Sequence, residues 1–335
     1  MYGYSLIKRV DAEIRKLIAP FLQKNIYTYK LGMARTVLAL STFLTIMLNN
    51  PELLFKNADT FNAANLKSGH YIFQKFNFFL MFGVDHLLWA KYIAAAILLL
   101  VICGFRPRLT CLFHSWICIS FNYATLLIEG GDQIAGNLSL MLIPICLLDR
   151  RQWHWTTDNH PSQQSVLISG YFLLIIKLQM CIIYFHAGIG KIPINEWANG
   201  TATYYWLNDP VFGMTDWMHT FMDPILSSAF GVALLTWGTI VLEILLFMAI
   251  MMNKRAKKTL FILGITFHLG ILFFHGLVSF FFSMAAGLML YLWVDNPLGS
   301  IGILRDLNYK HKYISLKKYS IFIQKRWNIH HHINK

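Results

Sequence analysis

The sequence predicts an all-α protein, a polytopic membrane helical bundle of about eight transmembrane helices with both termini in the cytoplasm. Hydrophobic residues make up 56% of the 335 residues and charged residues only 13%, and the apolar residues gather into runs long enough to cross a bilayer. The formal net charge of +13 comes from basic residues in the short segments between those runs. This distribution is typical of membrane topology and argues against nucleic-acid binding.

The apolar runs divide the chain into three parts. Residues 1–30 alternate charged and apolar side chains and predict a cytoplasmic amphipathic segment, while residues 31–295 predict the transmembrane domain. Residues 296–335 form a basic cytoplasmic tail. The predicted spans are 33–49, 88–104, 109–128, 133–148, 165–187, 226–252, 259–275 and 277–294.

The last two spans lack charged residues, and the basic residues between spans fall mainly on one side of the membrane. Residues 259–294 contain no charged side chain, and we interpret them as two short helices that turn near His275 and Gly276. Counted on alternate sides of the eight-span arrangement, 22 lysines and arginines fall on one side and 4 on the other, omitting the three inside spans. The positive-inside rule therefore places both termini in the cytoplasm.

The cysteines do not indicate a disulfide framework or a metal site. None is spaced as CxxC, and all fall within apolar runs, so we interpret them as buried packing residues. They are Cys103, Cys111, Cys118, Cys146 and Cys181.

The stretch from Lys177 to Trp206 carries most of the functional information. Lys177, Tyr184 and Lys191 recur every seven residues, as do Gln179 and His186. If the helix persists past the glycines at its end, each set lies on one face. A membrane helix seldom spends this many polar groups on packing alone.

Two charged residues inside spans require an explanation, because a charge at the bilayer centre costs at least about 2.5 to 3.5 kcal/mol. Lys177 and Glu243 are predicted to lie at similar depths in neighbouring spans. We therefore hypothesise a buried Lys177–Glu243 pair. It would be either a structural clasp between helices or a participant in proton movement.

Lys191 follows Gly188 and Gly190 and precedes Pro193, residues that release the backbone from regular helix. One interpretation is a lysine that snorkels to the interface and anchors the helix end. The other is a partly desolvated amine that acts as a base. The sequence leaves both open.

Other polar residues are predicted near the same outer end. His268 and His275 are seven residues apart in span seven, and His186 is at a similar depth in span five, so the three could surround Lys191 in an outer-leaflet pocket. We predict no metal site. Further polar groups that would line this pocket or cap span four are Asp132, Gln133 and Asn137.

The predicted outer loop 188–225 is rich in aromatic residues, which suits a segment lying at the outer headgroup level. It contains Trp197, Tyr204, Tyr205, Trp206 and Trp217.

Residues 171–206 resemble a known family. The order basic-x-Gln at 177–179, Tyr-Phe-x-Ala-Gly-x-x-Lys at 184–191 and Trp-x-x-Gly at 197–200 is similar to the horizontally transferred transmembrane (HTTM) domain. That domain occurs in vitamin K-dependent gamma-glutamyl carboxylase and in bacterial sporulation-delaying proteins. NGTATYYW at 199–206, GDQIAGNL at 131–138, DRRQWHW at 149–155 and Arg35 agree with the bacterial branch.

The resemblance implies a function and a set of residues. The bacterial branch implies a protein of the bacterial cytoplasmic membrane that matures a secreted antimicrobial or toxin peptide together with a small partner protein. The carboxylase branch implies that Lys191 is the catalytic base, and it implies a role for His268. Together with the polar residues discussed above, the candidate catalytic residues are Lys191, His268 and His186. The candidate binding and supporting residues are Lys177, Gln179, Tyr184, Trp197, Glu243, Asn137 and His275.

Two alternatives stay open at this stage. The first is a carboxylase-like membrane enzyme that uses a quinone-like or lipid cofactor. The second is a non-catalytic membrane chaperone or immunity-type binder, in which the aromatic outer loop is the working surface. Membrane lipid and a secreted peptide precursor are expected partners in the main interpretation.

Overall fold

The computed structural model describes residues 25–55, 76–82, 86–125 and 128–294. Residues 1–24 of the predicted amphipathic segment and the whole predicted tail 296–335 lie outside these ranges. The regular secondary structure of the described residues is helical, apart from one isolated antiparallel β-bridge between Phe105 and Trp153.

The described residues contain twelve α-helices. They are α1 (Tyr29–Leu48), α2 (Pro51–Phe55), α3 (Leu87–Cys103), α4 (Pro107–Ala124), α5 (Gly130–Leu147), α6 (Gln163–Ile189), α7 (Asn195–Ala198), α8 (Ala202–Leu207), α9 (Asp216–Leu226), α10 (Ala229–Met248), α11 (Lys254–His275) and α12 (Val278–Leu288). A 3₁₀ turn follows α10 (Ala249–Met251), and a π-helical segment follows α12 (Met289–Trp293).

Four of the described helices are long and apolar enough to cross a membrane. They are α1, α6, α11 and α10 with its 3₁₀ extension, and shorter apolar helices occupy Leu87–Cys103 and Val278–Trp293. The chain is therefore a membrane protein. Helices also occupy the remaining predicted spans, but the number of eight crossings and the side on which the termini lie stay predictions.

Residues 259–294 form two helices, as the sequence predicts. The first of them, α11, ends at His275, and Gly276 adopts a left-handed conformation with φ 69°. Its backbone N–H donates to the carbonyl of Leu272, and α12 begins two residues later at Val278. Glycine allows this turn because it has no Cβ to clash in the left-handed region.

Polar side chains define where several helices begin. Ser162, Ser228 and Asn253 precede α6, α10 and α11, and each side-chain oxygen accepts a hydrogen bond from a backbone N–H in the first turn. These caps satisfy donors that a helix start leaves unpaired. The sequence therefore fixes the starts of three of the longest helices locally.

The helices pack around two apolar clusters. One joins α1, α5, α6 and α12 through residues such as Leu31, Leu138 and Met180. The other joins α1, α3 and α4 around Leu98 and Phe121. In addition, α6 packs along α10 and α11 packs along α12.

The cysteine prediction holds for four residues and is wrong for one. All five cysteines are free, and Cys103 is exposed whereas the other four are buried. Cys103 is the last residue of α3, where the chain turns at Gly104. The helix end leaves its thiol at the surface.

A tight contact between α5 and α12 depends on Gly131. A Cβ added there would lie 2.3 Å from the backbone nitrogen of Phe280, closer than a Cβ approaches a non-bonded heavy atom in proteins. A Cβ on the neighbouring Gly130 would meet Phe280 at an ordinary 3.6 Å. Of these two glycines, only Gly131 is therefore required for α5 and α12 to meet.

We predict that Gly131→Ala lowers the free energy of unfolding by about 1–3 kcal/mol, because the helices must separate to accommodate the methyl group. Gly130→Ala is the matched control and should change it by less. Thermal unfolding of both variants in detergent measures the difference. Equal effects of the two substitutions would contradict the close approach.

Candidate functional site

An ion pair joins Lys191, just after the end of α6, to Glu243 in the second half of α10. The ammonium of Lys191 donates to both carboxylate oxygens of Glu243, at 2.7 Å to Oε1 and 2.6 Å to Oε2. The Glu243 side chain is 7% exposed and that of Lys191 is 20% exposed. Charge-assisted hydrogen bonds of this length in a largely dry setting are strong.

The chain positions Lys191 by ending α6 just before it. Lys191 also donates to the carbonyl of Ala187 at 3.0 Å, which satisfies an acceptor that the helix end leaves open. Gly188 lets α6 approach α10 here, since a Cβ at this position would lie 3.0 Å from Ile244. The ring of Trp197 covers the ammonium at 5.0 Å from its centroid, a cation–π distance.

The pair predicted from the sequence joined Glu243 to Lys177, and the structure shows a different partner. Lys177 lies about 20 Å before Lys191 along α6. It is buried, and its ammonium donates to the carbonyl of Val294 at 3.1 Å. The sequence did not reveal the axial position of α6 against α10, which brings Gly188 and Lys191, rather than Lys177, beside Glu243.

A second buried pair lies beside the first. The Tyr184 hydroxyl and His268 Nε2 are 3.0 Å apart, and both residues are at most 2% exposed. Among the described residues, His268 Nδ1 has no hydrogen-bond partner. If Tyr184 is the donor, the ring proton of the neutral imidazole lies on Nδ1 and forms an unused donor.

The two pairs form one polar cluster, which we name the Lys191 cluster: Lys191, Glu243, Tyr184 and His268. The charge of Lys191 acts on His268 and that of Glu243 acts on Tyr184. Phe280 packs edge-on against the imidazole at 5.5 Å. The arrangement can donate hydrogen bonds, hold a negative group or move a proton between Lys191 and Glu243.

Several other predicted site residues lie elsewhere. His186 is exposed and packs edge-on against Phe185. His275 donates from Nδ1 to the carbonyl of Phe212. Asn137 is exposed on α5, and Gln179 is half-buried. The three histidines therefore do not gather around the lysine, and only His268 joins the Lys191 cluster.

The described residues contain no group of three or more histidine, cysteine, aspartate or glutamate side chains that could hold a metal ion. The members of the Lys191 cluster also lack such a set of ligands.

A second polar cluster, which was not predicted from the sequence, surrounds Arg35 in the first half of α1. The guanidinium of Arg35 is buried and donates to Thr110 at 2.6 Å and to His154 Nδ1 at 3.2 Å. The opposite ring nitrogen of His154 contacts Thr36, whose hydroxyl donates to the carbonyl of Ile102. The signal available in the sequence was an arginine inside an apolar run.

The loop between α5 and α6 is held in place by Arg151. Its guanidinium donates to both carboxylate oxygens of Asp149, at 2.9 and 2.7 Å, and to the carbonyl of His154 at 2.8 Å. Burial, followed by the charges of Arg35 and Arg151, lowers the pKa of His154 to about 3. His154 is therefore neutral near pH 7 and accepts from Arg35.

Fold and clusters together define a helical membrane protein with charged pairs in its interior, and comparisons with known proteins place it more narrowly. The chain is 38% identical over 272 residues to sporulation-delaying protein SdpB of Bacillus subtilis strain 168, covering 80% of this chain and 81% of the relative. It is 31% identical over 308 residues to the uncharacterized protein YitO of the same strain, covering 89% and 97%. The chain belongs to the SdpB family.

Two further comparisons gave no match. No protein-family profile matches the sequence, and no solved structure is similar to the chain.

The low pKa of His154 predicts a pH-dependent effect of His154→Gln. Protonation favours the unfolded state, so the stability contributed by neutral His154 is complete above about pH 6.5 and declines as the pH falls toward 3. The variant should be less stable than the parent at pH 7.5, and this gap should narrow by up to about 2 kcal/mol at pH 5.

Thermal unfolding in detergent at the two pH values measures this gap. His160→Gln is the control for the substitution itself, because His160 lies in the same loop and its side chain is exposed. A gap for His154→Gln that stays constant between pH 7.5 and pH 5 would contradict the assignment.

Proposed function

We propose that the protein is an integral membrane maturation factor for a secreted antimicrobial or toxin peptide, and that the Lys191 cluster is its working site. Membership of the SdpB family supports a part in producing a sporulation-delaying type of toxin. The observation that carries the site is the ion pair of Lys191 and Glu243, largely withdrawn from solvent between two helices that are long and apolar enough to cross a membrane.

The geometry constrains how Lys191 would act as a base. The carboxylate of Glu243 stabilises the charged ammonium, so a free amine arises only if the proton passes to Glu243 or to a ligand. Transfer within the pair creates a neutral amine and a neutral carboxylic acid. A desolvated site favours such neutralisation, because it removes two charges from a poorly hydrated place.

In the proposed topology, the Lys191 cluster lies inside the bundle and is reached from the outer face. With both termini in the cytoplasm of a bacterial inner membrane, the start of α10 at Ala229 faces outward, and Glu243 lies 14 residues further along this helix, about 21 Å from its start. A secreted precursor reaches that face during export. We propose that the precursor, a small partner protein of the maturation system and membrane lipid meet the protein there, and that nucleic acid is not a partner.

His268 favours a second candidate, a membrane enzyme that uses a quinone-like or lipid cofactor. Its Nδ1 has no hydrogen-bond partner among the described residues, although the side chain is 2% exposed. A buried donor of this kind normally has a partner. A ligand carbonyl oxygen beside Phe280 would supply one, and such a ligand has the apolar body that this setting accepts.

A third candidate is a non-catalytic chaperone or immunity-type binder. In that case the Lys191 pair would be a structural clasp, and exposed aromatic residues such as Tyr205 and Trp206 would form the working surface. The substitutions below distinguish this candidate from base chemistry.

We predict opposite outcomes for Lys191→Arg under these candidates. Arginine keeps a cation that pairs with Glu243 but does not release its proton, so base chemistry should be lost in both Lys191→Arg and Lys191→Ala. A clasp or binding role should survive in Lys191→Arg. Lys258→Arg, at an exposed lysine, is the control and should stay active.

Mass spectrometry of a small secreted precursor peptide that is co-expressed with each variant measures maturation. Membrane abundance of each variant must match the parent for the comparison to hold. Full maturation with Lys191→Ala at normal abundance would contradict any role of the lysine. Full maturation with Lys191→Arg, together with loss of maturation in Lys191→Ala, would exclude base chemistry.

A further inference from the structure

Helix α9 presents three different faces around its axis. One contacts the protein, one is exposed and apolar, and one is exposed and polar, as expected from a helix that turns by 3.6 residues. The protein-facing side contains Met218 and Leu226, which pack with Leu207, Met214 and Val232. This packing fixes the rotation of α9 about its axis, and with it the direction of the other two faces.

The exposed apolar face consists of Trp217, Phe221 and Ile225, spaced four residues apart. They are 55%, 70% and 41% exposed. Large apolar side chains this open to water are unfavourable in three successive turns unless something covers them. The face is therefore the surface of α9 that requires a partner.

The polar face points in a third direction. Asp216, Thr220 and Asp223 are exposed along it, and His219 contacts Asp223 at 3.0 Å. A helix with separate protein-facing, apolar and polar faces matches an element that lies at a membrane surface, where acyl chains and water adjoin at one level.

The contact between α9 and the end of α11 agrees with a position of α9 at the membrane surface. Helix α11 has 22 residues, so it is about 33 Å long, close to the roughly 30 Å thickness of the hydrocarbon core. Phe273 lies in its last turn, and its ring contacts that of Trp217 at 5.7 Å. The apolar face of α9 thus lies where α11 reaches the end of a crossing.

The exposed apolar face also continues onto a candidate membrane span. Helix α10 begins three residues after α9 ends, and its first turns carry Phe230 and Leu234 at 76% and 61% exposure. Since α10 is long and apolar enough to cross a membrane, its exposed apolar side is the side that lipid covers. The same lipid continues to α9.

We propose that α9 is an interfacial anchor. Its apolar face, formed by Trp217, Phe221 and Ile225, inserts among the acyl chains and glycerol groups of phospholipids, while Asp216 and Asp223 remain in water. The acidic polar face gives no attraction to anionic headgroups, so the anchor works by apolar insertion. The proposal concerns a lipid contact and stands independently of the chemistry proposed for Lys191.

The test uses the full chain in nanodiscs of phosphatidylcholine. Cys103 is first replaced by serine, because it is the exposed cysteine. Phe221→Cys and its neighbour Thr220→Cys are then each labelled with an environment-sensitive fluorophore, and the parent without an added cysteine gives the background. Nitroxide-bearing lipids and aqueous iodide serve as the two quenchers.

We expect the label at position 221 to emit at shorter wavelength and to be quenched by the nitroxide lipids several-fold more than the label at 220. Iodide should quench the label at 220 more. Equal quenching of both labels by lipid would overturn the proposal. So would a blue-shifted label at 221 that nitroxide lipids do not quench, the result expected if a second copy or a peptide covered this face.

A folding defect in Phe221→Cys would not leave the question open. Ile225→Cys lies on the same apolar face and Asp223→Cys on the polar face, so this second pair repeats the comparison. Both must elute from size-exclusion chromatography like the parent. The same two outcomes then support or overturn the lipid contact.

Discussion

The hydrogen-bonded ion pair of Lys191 and Glu243 constrains the architecture around it. A lone charge between apolar helices is costly, whereas two opposite charges in contact offset part of each other's desolvation. To bring them together, α6 must end at Ile189 and pack closely on α10 at Gly188. The end of one helix and the packing of another thus follow from a single contact.

The pair also determines the electrostatic environment of the neighbouring polar groups. Tyr184 and His268 lie within the electrostatic influence of the pair, and Trp197 covers the ammonium from the side. Arg35 and His154 form a separate network, which docks the loop before α6 onto α1. The first cluster offers unused hydrogen-bonding capacity, whereas most donors of the second network are already bonded to the protein.

The sequence predicted much of the fold, because hydropathy and capping are local properties. The helix positions, the turn at Gly276 and the likeness to a sporulation-delaying protein agreed with expectation, whereas the wider HTTM and carboxylase likeness stays a prediction. The partner of Glu243 was wrong, because a contact between helices depends on their relative shift along the axis, which span boundaries estimate only to several residues. A similar predicted depth likewise suggested that His186 and His268 act together, but α6 turns His186 toward the surface.

The central claim is that Glu243 and Lys191 act as one unit, and a double-mutant cycle tests it most directly. The free energies of unfolding of Lys191→Met, Glu243→Leu and the double variant in detergent give the coupling energy between the two side chains. The account predicts coupling of at least about 1 kcal/mol, with the double variant less destabilised than the sum of the single variants. Additive effects within about 0.5 kcal/mol would contradict it.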